Sequence, residues 1–140
     1  MTPHFTLAEL TATSHRQFDN SPNEAETANL QRLAEFLEQV KEALDGKPIM
    51  INSGFRSKAV NDSVGSKDSS QHRVGAACDF RVPGMTPDAV VRAVIAAGLP
   101  FDQIIREFDA WTHVSVTNTP DGTPRRQALI IDKAGTRPFA

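Results

Sequence analysis

The chain has 140 residues, the size of one domain, and can close a hydrophobic core without crosslinks. Seventeen acidic against fifteen basic side chains give a net charge of −2, with no long basic run to track phosphates, so nucleic acid is not an expected partner. The lone Cys78 excludes an internal disulfide and a thiolate-rich metal knuckle, so any metal must be held by histidine and carboxylate.

In chain order, "FTLAELTATSH" predicts a short helix and "RQFDNSP" a loop. The next helix starts at Ser21 as cap, with Pro22 in the first turn and Glu24 closing a capping box. Leu30, Leu33, Leu37, Val40 and Leu44 then recur at three- and four-residue steps as one core-facing stripe, and Gly46 stops it. "PIMINSGF" reads as a short buried strand, followed by a helix from about Lys58 and a flexible "GSKDSSQ" loop. "AACDFRV" is a second strand. Thr86 caps a further helix with Pro87 in its first turn and Val90, Val91, Val94 and Ile95 facing inward, ended by Gly98. "FDQIIREF", "WTHVSV" and "RQALII" are extended, the last two split by the turn-forming "NTPDGTP". Helices come first and antiparallel strands cluster late, which predicts an α+β domain over 1–140, with 118–140 extending the sheet. No apolar run can span a bilayer, and "MTPHFTLAEL" lacks a basic segment ahead of an apolar one, so neither membrane insertion nor an export signal is expected.

The stretch "SSQHRVGAACDF" holds His72 and Asp79, ligand types that zinc accepts when thiolates are lacking. Their odd separation would aim them at opposite faces of one regular strand, so Gly75 must break the run and leave His72 in the loop. On the strand, Ala77, Asp79 and Arg81 share one face and Cys78, Phe80 and Val82 the other, which points the thiol at the core. In "WTHVSV" the residues Trp111, His113 and Ser115 share a face, making His113 a candidate third ligand. Spacing alone leaves the bland alternative open: a hydrogen-bonded strand histidine and a solvated aspartate.

"SSQHRVGAACDF" resembles the S-x-H-x-x-G-x-A-x-D signature of the M15 zinc peptidases, the D-Ala-D-Ala carboxypeptidases and related peptidoglycan endopeptidases. "INSGFRS" resembles the strand-turn segment of that family with its arginine, and "REFDAWTHVSV" its closing strand. "HFTLAEL" with "DNSP" resembles the N-terminal part of the subgroup common in phage and bacterial genomes. The resemblance runs from about His4 to Val116 and fades beyond Thr117. It implies a small central antiparallel sheet flanked by helices, of the Hedgehog/DD-peptidase type, carrying one Zn2+ on His72, Asp79 and His113.

The resemblance also implies roles around the metal. In many M15 enzymes the general base lies three residues before the final histidine, where this chain has Ala110. In the subgroup it most resembles a glutamate lies six before, which matches Glu107, with Asp109 in reserve. Arg56 matches the arginine that stabilises an oxyanion or holds a carboxylate. Ser70 matches the serine that positions substrate, while Gln71 and Trp111 are expected to line the same cleft. His4 and His15 fit no family position and read as surface residues. The implied function is hydrolysis of amide bonds in peptidoglycan stem or cross-link peptides by a monomer, as carboxypeptidase or endopeptidase, made in the cytoplasm and reaching the wall by holin-type release or virion delivery if phage-derived. The rival expectation is a zinc-binding structural or wall-binding module without turnover.

Overall fold

The computed structural model describes residues 1–139; Ala140, the last residue of the expected C-terminal extension, lies outside the described residues. Helix α1 (Leu7–Thr11) starts from a capping box in which Thr6 and Glu9 satisfy each other's backbone N–H groups. Helix α2 (Glu24–Ala43) is also boxed, but two residues later than the sequence predicts. Asn23 is its cap and Glu26 the partner, each accepting at 2.8 Å from the other's backbone N–H. Asn23 to Glu26 and Ser21 to Glu24 are rival patterns offset by two residues. The Ser21 hydroxyl is taken by Asp19 at 2.6 Å, which leaves the start to Asn23. The stripe Leu30, Leu33, Leu37 and Val40 is wholly buried, and full burial of such side chains is worth about 1.5–3 kcal/mol each. After Ala43 the chain reverses through Gly46 at φ +76°, where glycine carries no Cβ penalty.

Six strands form one sheet: β1 (Met50–Ser53), β2 (Ala77–Arg81), β3 (Gln103–Glu107), β4 (Trp111–Ser115), β5 (Gln127–Asp132) and β6 (Gly135–Pro138), in the order β1-β2-β4-β3-β5-β6. Between β1 and β2 lie α3 (Lys58–Ser63) and a single 3-10 turn, Gln71–Val74, and α4 (Pro87–Ala96) joins β2 to β3. The class is α+β, as expected. One pairing departs from the antiparallel expectation: β5 lies parallel to β3. β4 already fills the antiparallel side of β3, so the chain must cross β3 through residues 116–126 and pair with its free edge. Strand β6, which the sequence reading did not separate from its surroundings, turns back on β5.

Register assigns the two faces. Cys78, Val114, Ile104 and Ala128 stand in one row across four strands; the first three are fully buried and join the core built by α2 and α4. The adjacent row is Asp79, His113, Ile105 and Leu129, on the opposite face. Two expectations of burial fail at the margins. Ile95 is 41% exposed at the end of α4, and Met50 is 49% exposed because β1 is the edge of the sheet. The other α4 expectations hold: Thr86 caps, Pro87 opens the helix, and Val90, Val91 and Val94 are buried.

Candidate metal centre

His72 sits in the 3-10 turn and not on β2, because the chain breaks at Gly75 (φ +77°). A Cβ at Gly75 would come within 2.6 Å of the Glu26 carbonyl oxygen, so both the backbone angle and the close approach to α2 require glycine. Ser70 caps the turn, accepting from the His72 N–H at 3.3 Å. The loop before it is pinned rather than free: the fully buried Asn61 donates to the carbonyls of Ser66 and Lys67 at 3.4 and 2.9 Å.

The turn delivers His72 to the sheet face that bears Asp79 and His113. All three are buried, and one ligand atom from each lies within 4.8 Å of the others. His72 Nε2 is 3.4 Å and His113 Nδ1 2.9 Å from Asp79 Oδ1, and the two rings meet edge to face at 5.2 Å. His72 Nδ1 donates to the Gly54 carbonyl at 2.7 Å, which fixes the tautomer and leaves the Nε2 lone pair facing the cluster. Burial alone would raise the Asp79 carboxyl, but hydrogen bonds and charge from His113 and His72 hold it well below the usual carboxylate range. The group therefore presents one carboxylate oxygen and two imidazole nitrogens to a common point, the donor set of a three-ligand zinc site. Cys78 plays no part: it is buried in the opposite row, and burial, then the charge of Asp79, push its thiol well up.

Arg56 and Glu107 lie beside the three ligands. The Arg56 guanidinium is 3.6 Å from Asp79 Oδ2 and donates to Ser53 Oγ at 3.3 Å, and its backbone N–H is held by the His72 carbonyl at 2.9 Å. Glu107 pairs with Trp111 and His113 with Ile105, so Glu107 is diagonal to His113 on one face, within reach of a long side chain. Burial, then the negative charge of Asp79, push the Glu107 carboxyl above the usual glutamate range, while His113, Trp111 and Arg56 draw it partly back. Among the described residues the buried Trp111 indole N–H meets no acceptor in bonding geometry, so its pull on Glu107 is weak.

Asp109 is not equivalent to Glu107. Phe108 and Asp109 both take positive φ (54° and 51°) in a tight turn closed by Ala110 N–H to Glu107 O at 3.0 Å. Asp109 projects into solvent, 71% exposed, with Arg106 Nε at 3.0 Å. Strand alternation could not separate the two acids; the turn does. Gln71 lines the cleft next to His113, but its amide donates to Asp102, Val116 and Asn118 and is tied into the scaffold. Trp111 packs against Phe108 at 5.9 Å. His4 is a surface residue bonded to Glu38. His15 lines, with Ser53 and Arg56, a hollow of about 230 Å³ that no sequence signal marked.

The sequence model of the family described as Peptidase M15 matches residues 3–115. The chain belongs to the peptidase M15 family. It is also 35% identical over 79 residues to the zinc D-Ala-D-Ala carboxypeptidase of Streptomyces albus G. That match takes in 55% of this chain and 31% of the relative, so the chain spans about a third of the length of the protein it resembles. Zinc is the ion that both this donor set and this family call for.

Proposed function

We propose that this M15 chain is a zinc peptidase that hydrolyses amide bonds in peptidoglycan stem or cross-link peptides. The observation that supports it is the convergence of His72, Asp79 and His113 with Arg56 and Glu107 on one sheet face. Zinc held there would supply Lewis-acid polarisation of the scissile carbonyl and make water a better nucleophile. Glu107, with its carboxyl raised above the ordinary glutamate range by burial and lying diagonal to His113, is suited to take the proton of the attacking water and pass it to the departing amine nitrogen. Arg56 is suited to donate to the oxygen that gains charge as the carbonyl is attacked. Asp79 gives one oxygen to the ligand cluster and turns the other toward Arg56, which fixes the guanidinium relative to the ligands.

A second reading, a wall-binding module that keeps the metal but lacks turnover, draws on Ala110 at the position where many relatives carry the base. Incubation of purified sacculi with the protein, with and without chelator, decides between them. Chelator-sensitive release of new muropeptide ends by mass analysis is the expected result; intact sacculi with retained binding favour the module.

A further inference from the structure

The face that carries the metal ligands does not stop where the family match does. Because β5 lies parallel to β3 in register, the row Asp79, His113 and Ile105 continues into Leu129, and Glu107 is followed by Ile131. Leu129 and Ile131 come from outside residues 3–115. With Ile105 they floor a cleft of about 530 Å³ that has His113 on one side.

Among the described residues, two cations and no carboxylate line this cleft: Lys67 and Arg125. Lys67 is exposed, but its backbone is held by the buried Asn61 and by the Ser70 N–H at 3.0 Å, so its position is set by the scaffold. Arg125 is oriented by Asp102, whose side chain is 7% exposed; Nε and Nη2 grip that carboxylate at 3.1 and 2.7 Å. Nη1 keeps no partner among the described residues, and the side chain is 54% exposed. The pair neutralises much of the arginine's charge but leaves an aimed N–H edge, while Lys67 brings a full charge.

We propose that Lys67 and Arg125 form a subsite for a carboxylate on the bound peptide, with the β5 residues Leu129 and Ile131 packing the apolar part next to it. This rests on the peptidase reading and adds to it a preference for anionic peptides, to which Lys67 contributes from within the family match and Arg125, Leu129 and Ile131 from outside it. A carboxylate held by Lys67 and by one edge of a guanidinium gains charge-assisted hydrogen bonds beside an apolar floor.

The carboxylate could be the peptide's C-terminus or that of an acidic residue within it, and two probe pairs separate these sources. One is acetyl-Lys-D-Ala-D-Ala and its C-terminal amide. The other is acetyl-Ala-D-Glu-Lys-amide and its D-Gln counterpart. Ligand-observed NMR on zinc-loaded protein gives the dissociation constant and any hydrolysis in the same sample. The acid member of at least one pair should bind about tenfold tighter than its neutral partner. Lys67→Gln should erase that preference while leaving neutral-peptide affinity, zinc content and melting temperature unchanged. Arg125→Lys, which keeps a charge against Asp102, should weaken only the acid member. Equal binding of acid and neutral members in both pairs overturns the proposal. So does a preference that survives Lys67→Gln, since the carboxylate would then be on the metal. Acid-selective binding without hydrolysis of any probe or of sacculi leaves the subsite standing and removes the peptidase reading; hydrolysis without acid preference does the reverse.

Discussion

Asp79 and His113 stand directly opposite each other on neighbouring antiparallel strands, with His113 Nδ1 2.9 Å from Asp79 Oδ1. A hydrogen-bonded pair of this kind could be mere strand chemistry, but His72 Nε2 arriving from a separate turn at 3.4 Å makes it a three-donor cluster. The protein should therefore hold one zinc per chain. Elemental analysis of His113→Ala should show the metal lost, and stoichiometric metal in that variant would contradict the ligand set.

Metal binding and folding should be coupled, because the cluster joins a turn to two strands and exists only in the folded chain. Added zinc should raise the melting temperature of stripped wild type, and His72→Ala should remove that response while circular dichroism stays helical. Gly54→Ala is a subtler probe. A Cβ there would collide with the Leu10 carbonyl oxygen, and the Gly54 carbonyl orients His72. Expected are a stability loss of about 1–3 kcal/mol and zinc affinity lower by about 10–100-fold, the scale for losing a partner behind a ligand.

Glu107→Gln should keep metal and fold and lower turnover by roughly 10²–10⁴-fold. Asp109→Asn should change little, since Asp109 is a solvated turn residue paired with Arg106. Single-turnover assays on muropeptides check both, and a fast Glu107→Gln variant would remove Glu107 from the role.

Asp102 predicts a pH effect on stability away from the metal. Burial would raise its carboxyl, but Arg125 and Gln71 outweigh that and lower it from its ordinary value of 3.8. A carboxyl depressed in the folded state stabilises above its unfolded pKa and loses that contribution as pH falls through the folded one. Asp102→Asn should thus be less stable than wild type at neutral pH, and the gap should narrow below about pH 4. A gap independent of pH in urea unfolding would show that the ion pair does not carry it.

Cys78 should resist thiol reagents in the native state and react on unfolding, as a fully buried thiol with a raised pKa.

Local signals with one physical solution were legible in the sequence: the cap at Thr86, the stripe on α2, the break at Gly75, and the alternation that hides Cys78 and presents Asp79. Where two local solutions compete, the sequence did not choose. Ser21 and Asn23 both head an x-x-Glu box, and Glu107 and Asp109 share a parity that only the positive-φ turn at Phe108 breaks. The parallel β5 pairing was invisible because it depends on which edge of β3 is free, a property of the assembled sheet. The three ligands were named through resemblance to a family; spacing alone left them indistinct from ordinary strand residues.

The contact between Gly75 and the Glu26 carbonyl means that the first turn of α2 is a template for the curvature of the histidine turn. Arg73 reaches back to Glu26 at 3.4 Å, and the Asn29 amide holds the Val74 carbonyl at 2.8 Å, so the two segments are clasped along their length. Metal affinity thereby becomes a gauge of helix seating. A substitution at Asn29 would first appear as faster zinc exchange in a chain that is still folded.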